Sequence, residues 1–210
     1  MKTITCYLDF ISPYAYLAFE ALPNSLMGVS HRVVYKPVLF AGMLKHHGQL
    51  GPAEIAGKRE WTYRQVVWQA KQLGIAFDMP ASHPFNPLAL LRLAVACSVD
   101  GQPNRWVCET IFKHVWHGGA VADDAARLQA LTTQLAPSRA VDAPDVKAQL
   151  KANTEEAIAG GAFGVPTFCV DDKLFWGLDA LPMMRAYLDG DQWFETAWEA
   201  AASIQQGVKR

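Results

Sequence analysis

The chain has 210 residues, 51% of them apolar and 19% charged. A disordered chain would be charge-rich and apolar-poor, so a globular protein with a sizeable core is expected. Lys and Arg total 19 against 20 Asp and Glu, which lacks the basic excess of a nucleic-acid binder.

A membrane span needs roughly 20 consecutive apolar residues. The longest candidate, 88–97, is far shorter and contains Arg92. Lys2 precedes a short run broken at Asp9, so neither a secretory leader nor a membrane span is expected. Residues 3–10 are β-branched and aromatic in alternation and predict a strand. Ser12-Pro13 then starts a helix over 14–26: the hydroxyl caps, and proline's missing N–H is harmless at the first helical position. Residues 31–39 predict a second strand. Strand, helix and strand within forty residues make a βαβ unit with a right-handed parallel crossover.

From 52 to about 160 the pattern is helical almost throughout. Helices are expected at 61–73, ended by Gly74, and after a Pro-, Asn- and Ser-rich loop at 78–87, over 88–99, 105–117, 123–136 and 144–158. On the 105–117 helix, Trp106, Val107, Ile111, Val115 and Trp116 are expected to share a face. His46 and His47, before Gly48, are expected in a solvated loop. Strand character returns at 166–170 and 173–176, joined by Asp171-Asp172 as a two-residue hairpin turn. Helices at 181–188 and 193–206 follow. The fold class is therefore α/β: βαβ, a helical block, then ββα. Strands at both ends can pair in one sheet only if the helical block is an insertion. That gives one domain from 1–39 and 161–210 and an all-helical insertion domain over 40–160.

Several residues have the chemistry of a site. Ser12 sits at a strand-to-helix turn, where backbone N–H groups and the macrodipole favour an anion. It is either a plain helix cap or a donor that lowers a thiol's pKa, and the two roles are compatible. Val165–Pro166 is either an ordinary strand start or a cis bond framing an open backbone edge that pairs with a peptide. Lys58 and Arg59, opening a helix, are solvated charges or a carboxylate clamp. Asp179, after Trp176-Gly177-Leu178, caps a helix or holds an ammonium group. His114 and His117 share a helical side without a Cys or carboxylate cluster, so no metal site is expected. Cys6, Cys97, Cys108 and Cys169 form no CxxC pair and read as free thiols in a reducing cytoplasm. No P-loop, GxGxxG or GxSxG pattern occurs.

Seven segments together carry a resemblance: D-F-I-S-P-Y from Asp9, H-G-Q-L-G-P from His47, K-R-E-W from Lys58, H-P-F-N-P from His83, F-K-H-V-W from Phe112, F-G-V-P-T-F from Phe163 and F-W-G-L-D from Phe175. Over nearly the whole chain this resembles the 2-hydroxychromene-2-carboxylate isomerases and, more broadly, the kappa-class glutathione transferases. The resemblance implies a thioredoxin-like fold with a helical insertion, glutathione as cofactor, and a homodimer. The seven tryptophans and ten phenylalanines leave aromatic surface for such an interface.

The family carries a serine where related disulfide oxidoreductases carry CxxC, which disfavours disulfide exchange here. By resemblance, Ser12 holds the glutathione sulfur as thiolate and Val165 pairs with the cysteinyl backbone. Lys58 meets the glycyl carboxylate. The turn of Trp176, Gly177, Leu178 and Asp179 holds the γ-glutamyl end. The implied reaction is cis–trans isomerisation to trans-o-hydroxybenzylidenepyruvate in aromatic catabolism. Gln49, His83 and Asn86 are candidates for the carboxylate of a small aromatic substrate. Gln49 stands where the family usually has asparagine, Leu178 and Ala180 replace polar residues, and the segment between Pro52 and Lys58 is short. The alternatives are a kappa-like transferase or peroxidase acting on another electrophile, and a non-catalytic thioredoxin-fold binding protein.

Overall fold

A computed structural model describes residues 1–205 and Gly207. The order is β1 (Lys2–Leu8), α1 (Pro13–Ser25), β2 (His31–Pro37), α2 (Phe40–His46), α3 (Lys58–Leu73), α4 (Leu88–Ala96), α5 (Arg105–Trp116), α6 (Ala125–Leu135), α7 (Pro144–Ala159), β3 (Thr167–Val170), β4 (Lys173–Trp176), α8 (Leu181–Leu188), α9 (Trp193–Thr196) and α10 (Trp198–Ala202). Single 3-10 turns lie at Pro52–Glu54 and Leu178–Ala180. The strands form one sheet in the order β2-β1-β3-β4. β1 and β2 are parallel, while β1–β3 and β3–β4 are antiparallel. The α/β layout, with helices between β2 and β3, is the expected one. Asp171 and Asp172 both adopt positive φ, 47° and 68°, as the tight hairpin turn requires.

Several boundaries differ from the sequence reading, each for a tertiary reason. β1 stops at Leu8 and β2 at Pro37. Beyond them the chain serves Asp9, whose carboxylate accepts from Ile11 N (3.1 Å) and Phe40 N (2.9 Å). The second contact supplies the cap that Leu39 lacks and starts α2. His46 therefore ends a helix and His47 caps it, in place of the expected loop. The single helix expected over 193–206 is two short ones broken at Ala197; its final residue, Gln206, lies outside the described residues. On α5, Val107, Ile111, Val115 and Trp116 are buried but Trp106 is 53% exposed, so it does not share their face.

Among the described residues the larger hydrophobic cluster joins the sheet, α1 and most of the helical block, and a smaller one gathers Tyr7, Val38, Met43, Ala157, Ala162 and Val165. Phe112 of α5 meets Phe10 and Phe19 with ring centroids at 4.9 and 5.1 Å, and Trp116 stacks on Phe77 at 5.3 Å. Offset and edge contacts of this kind add to the burial energy of the rings. The outcome for the site is rigidity. Residues 9–12, between β1 and α1, are pinned from three sides: Trp116 Nε1 donates to Phe10 O (3.1 Å), His83 Nε2 meets Ile11 O (2.8 Å), and Phe40 N donates to Asp9 Oδ2 (2.9 Å).

Candidate active site

Ser12 is the N-cap of α1 and is only 7% exposed. Its Oγ accepts from Ala15 N at 3.2 Å and donates a long bond, 3.4 Å, to Val165 O. Pro13 has no N–H, and Ala15 N–H is taken by the cap. Among the described residues Tyr14 N–H has no partner, so the first turn of α1 keeps one open amide beside a hydroxyl whose proton is weakly held. A helix N-terminus with these two donors suits an anion.

The facing wall is the loop before β3. The Val165–Pro166 bond is cis, and Val165 N–H has no partner among the described residues. Pro166 O accepts from Gly177 N at 2.9 Å, which ties this loop to the end of β4. Gly177 has φ +97°, and a Cβ there would fall 2.5 Å from Asp179 Oδ1. Glycine thus lets the Asp179 carboxylate fold over the turn. Asp179 does not cap α8, as its local sequence suggests: the N-cap is Ala180, without a side-chain bond. The Asp179 carboxylate is exposed and accepts no hydrogen bond among the described residues. Leu178 packs against the core instead.

Trp176 is 53% exposed and lies against Phe163, ring centroids 4.8 Å apart, so two aromatic faces stand at the rim. The indole crosses the backbone of Gly164, where a Cβ would sit 2.6 Å from Nε1. Gly164→Ala is therefore expected to displace the Trp176 ring. The indole NH signal of Trp176 should move in a 1H–15N spectrum while the other six stay; seven unmoved signals would contradict this contact.

The third wall is α3, which runs from Lys58. Tyr14 Oη donates to Gln65 Oε1 at 2.7 Å. Burial first, and then the Asp179 carboxylate, raise the Tyr14 pKa, and α1 packs against both α3 and the Leu178–Ala180 turn. Lys58 lies two turns before Gln65, about 10 Å along the helix axis. It is exposed and makes no ion pair among the described residues, whereas Arg59 pairs with Glu60 at 3.1 Å.

The structure therefore gathers Ser12, Val165, Trp176, Gly177 and Asp179 into connected walls, with Lys58 farther along α3. His83 is committed to the protein. Its Nε2 faces Ile11 O and its Nδ1 faces Tyr63 Oη, both at 2.8 Å, and burial lowers its pKa. A neutral ring with the proton on Nε2 satisfies both contacts. Asn86 Oδ1 accepts from Leu88 N (3.1 Å) at the start of α4. Gln49 is exposed beyond α2, where its N–H donates to Leu44 O.

Sequence reasoning does not single out Asp9, Tyr63, Gln65 or the Phe163 rim. Each acts through a partner distant in the chain, so no local signal marks it. All four cysteines are free, and their thiol pKa values are raised by burial. No cluster of three or more His, Cys, Asp or Glu occurs among the described residues, and no described helix is long and apolar enough to cross a membrane.

Known proteins match over most of this length. The family model described as a DSBA-like thioredoxin domain matches residues 3–189. A 2-hydroxychromene-2-carboxylate isomerase of Sphingobium xenophagum is 27% identical over 196 residues, covering 89% of this chain and 98% of the relative. Glutathione S-transferase kappa 2 of Caenorhabditis elegans is 24% identical over 209 residues, covering 89% and 92%. The solved structure of a 2-hydroxychromene-2-carboxylate isomerase superposes with a TM-score of 0.78 at 21% identity, covering 96% of this chain and all of the other.

Proposed function

The chain belongs to the DSBA-like thioredoxin domain family, and on that premise we propose that it is a glutathione-dependent cis–trans isomerase of the 2-hydroxychromene-2-carboxylate type. The observation that carries this reading is the pairing of the Ser12 hydroxyl and the open Tyr14 N–H with the open Val165 N–H across the cis Val165–Pro166 loop. A thiol peptide fits that geometry: an anion subsite, a backbone edge, and opposite charges at the two ends. When bound, glutathione supplies a nucleophilic sulfur that adds to a conjugated double bond and leaves again after rotation about it.

The chain's own residues do the rest. Ser12 Oγ–H turns from Val165 O to the sulfur, and Tyr14 N–H and the α1 dipole stabilise the same charge. Val165 N–H pairs with the cysteinyl backbone in the manner of strand addition. Asp179 takes the γ-glutamyl ammonium beside Trp176 and Gly177, with Leu178 as the packed floor, and Lys58 takes the glycyl carboxylate. His83, held by Ile11 and Tyr63, braces the Ser12 turn. Gln49 and Asn86 remain the polar side chains proposed for the substrate carboxylate. The same reading makes 1–39 and 161–210 the thioredoxin-like domain, 40–160 the insertion, and the protein a cytoplasmic homodimer in aromatic catabolism.

The test is the absorbance-monitored conversion of 2-hydroxychromene-2-carboxylate by dialysed protein, with and without glutathione. Conversion only with glutathione is expected. A second reading, a kappa-like transferase, is favoured by the near-equal identity to the transferase relative, 24% against 27%. Glutathione-dependent turnover of a halogenated aromatic, without turnover of the chromene, would select it. Absence of glutathione binding at millimolar concentration would select a non-catalytic binding protein. Asp179→Ala is expected to raise the glutathione Kd about fivefold, the upper range for an exposed ion pair. An unchanged Kd by calorimetry would remove Asp179 from the γ-glutamyl subsite.

A further inference from the structure

Asp9 is fully buried, yet among the described residues no charged side chain offsets it. Its Oδ1 accepts from Ile11 N (3.1 Å), its Oδ2 accepts from Phe40 N (2.9 Å), and its main-chain oxygen accepts from Ser12 N (3.1 Å). One residue thus binds the turn before α1 to the first amide of α2. We propose that Asp9 is the positioning residue of the thiol site: by holding the Ile11 and Phe40 amides together, its carboxylate fixes the turn that aims Ser12 Oγ and Tyr14 N–H at the sulfur. This rests on the glutathione reading given above.

The arrangement is asymmetric in protonation. The carboxylate offers one acceptor oxygen to each amide. A protonated acid needs an acceptor for its own O–H and leaves one amide poorly served. Burial holds the acid up at about 7, and the amides of Phe40, Ile11 and Phe10 only partly oppose it. The titratable groups on the elements around it are Cys6 and Tyr7 of β1, Tyr14, Tyr16 and Glu20 of α1, Tyr35 and Lys36 of β2, Lys45 and His46 at the far end of α2, Glu155 and Glu156 of α7, which packs on α2, and His83 behind Ile11. The causes that set the Asp9 acid are burial and the three backbone amides, with no charged side chain among them. An uncompensated buried carboxyl weakens a fold at neutral pH. Groups held at such a cost cluster where a site needs them.

The test compares wild type with Asp9→Asn, a nearly isosteric change that removes the charge and one acceptor. In wild type, the Ile11, Ser12 and Phe40 amide shifts should titrate between pH 5 and 9 with one common midpoint, and in the variant that titration should vanish. Glutathione-dependent kcat should fall at least about tenfold, as for a small misplacement of reacting groups, while KM for glutathione changes less than threefold. Amides that do not share a midpoint, or a variant turning over within twofold of wild type, would overturn the proposal. Wild type without glutathione-dependent turnover would instead refute the glutathione reading, and the amide titration would still decide whether Asp9 governs the turn. Should the variant fail to fold, the wild-type titration alone decides: a shared midpoint supports the role of Asp9, and separate midpoints refute it.

Discussion

Ser12→Ala is expected to reduce glutathione-dependent turnover by about 10- to 100-fold while the fold persists. The hydroxyl is both the α1 cap, through Ala15 N, and a side-chain donor at the helix start. A hydrogen bond to a charged group contributes about 1.5–3 kcal/mol, which sets the expected loss and a matching rise in the pKa of the bound thiol. Losing the cap costs about 1 kcal/mol, too little to unfold a core that contains Phe10, Phe19, Phe112 and Trp116. Thiolate absorbance near 240 nm followed with pH, alongside turnover and a thermal melt, separates the two effects. A variant that melts normally and keeps both the wild-type thiol pKa and turnover would refute the role of Ser12. Tyr14 N–H and the helix dipole remain in the variant, so residual activity is expected.

Asp9→Asn is expected to stabilise the protein at pH 8 and to change its stability little at pH 4. Burial raises the Asp9 pKa from 3.8 to about 7 in the folded state. An acid raised on folding contributes stability that is fully present below its unfolded pKa and is lost as pH rises through the folded value. Each tenfold change in proton affinity is about 1.4 kcal/mol, so about 4 kcal/mol is lost between pH 4 and pH 7. Asparagine has no such loss, and like the protonated acid it serves one amide less well than the carboxylate does, at about 1 kcal/mol. The net gain at pH 8 corresponds to a Tm rise of about 5–10 °C. Several exposed carboxylates, among them Asp145 and Asp171, have lowered pKa values through ion pairing and give the opposite slope in both proteins. The difference between the two stability curves isolates Asp9. A variant equally destabilised at pH 4 and pH 8 would show that the carboxyl is not strained by burial. Higher stability together with slower turnover is the combined signature of a group retained for the site.

Both changes act on one short segment, and the sequence marks only half of it. Ser12-Pro13 is legible because capping and proline placement are local. The strand pairs, the parallel crossover and the Asp171-Asp172 turn are also legible, since period-2 alternation and turn chemistry are carried by neighbours in the chain. Helix α2 escapes a sequence reading because its first amide is served by Asp9, thirty-one residues away. Trp106 is misplaced by the same reading because a periodic pattern gives a face but not what covers it.

The sequence by itself determined the α/β order, the helical block between the strand pairs, the absence of a redox CxxC, and the serine at the helix start. Only the tertiary structure decided that Asp179 leaves the helix end and folds over Gly177, that His83 spends both ring nitrogens on Ile11 and Tyr63, and that Asp9 is buried with no counter-charge among the described residues. The physical reason is reach. Capping, turn and periodicity preferences act over a few residues, whereas desolvation and long-range hydrogen bonds depend on which distant segments the core brings together.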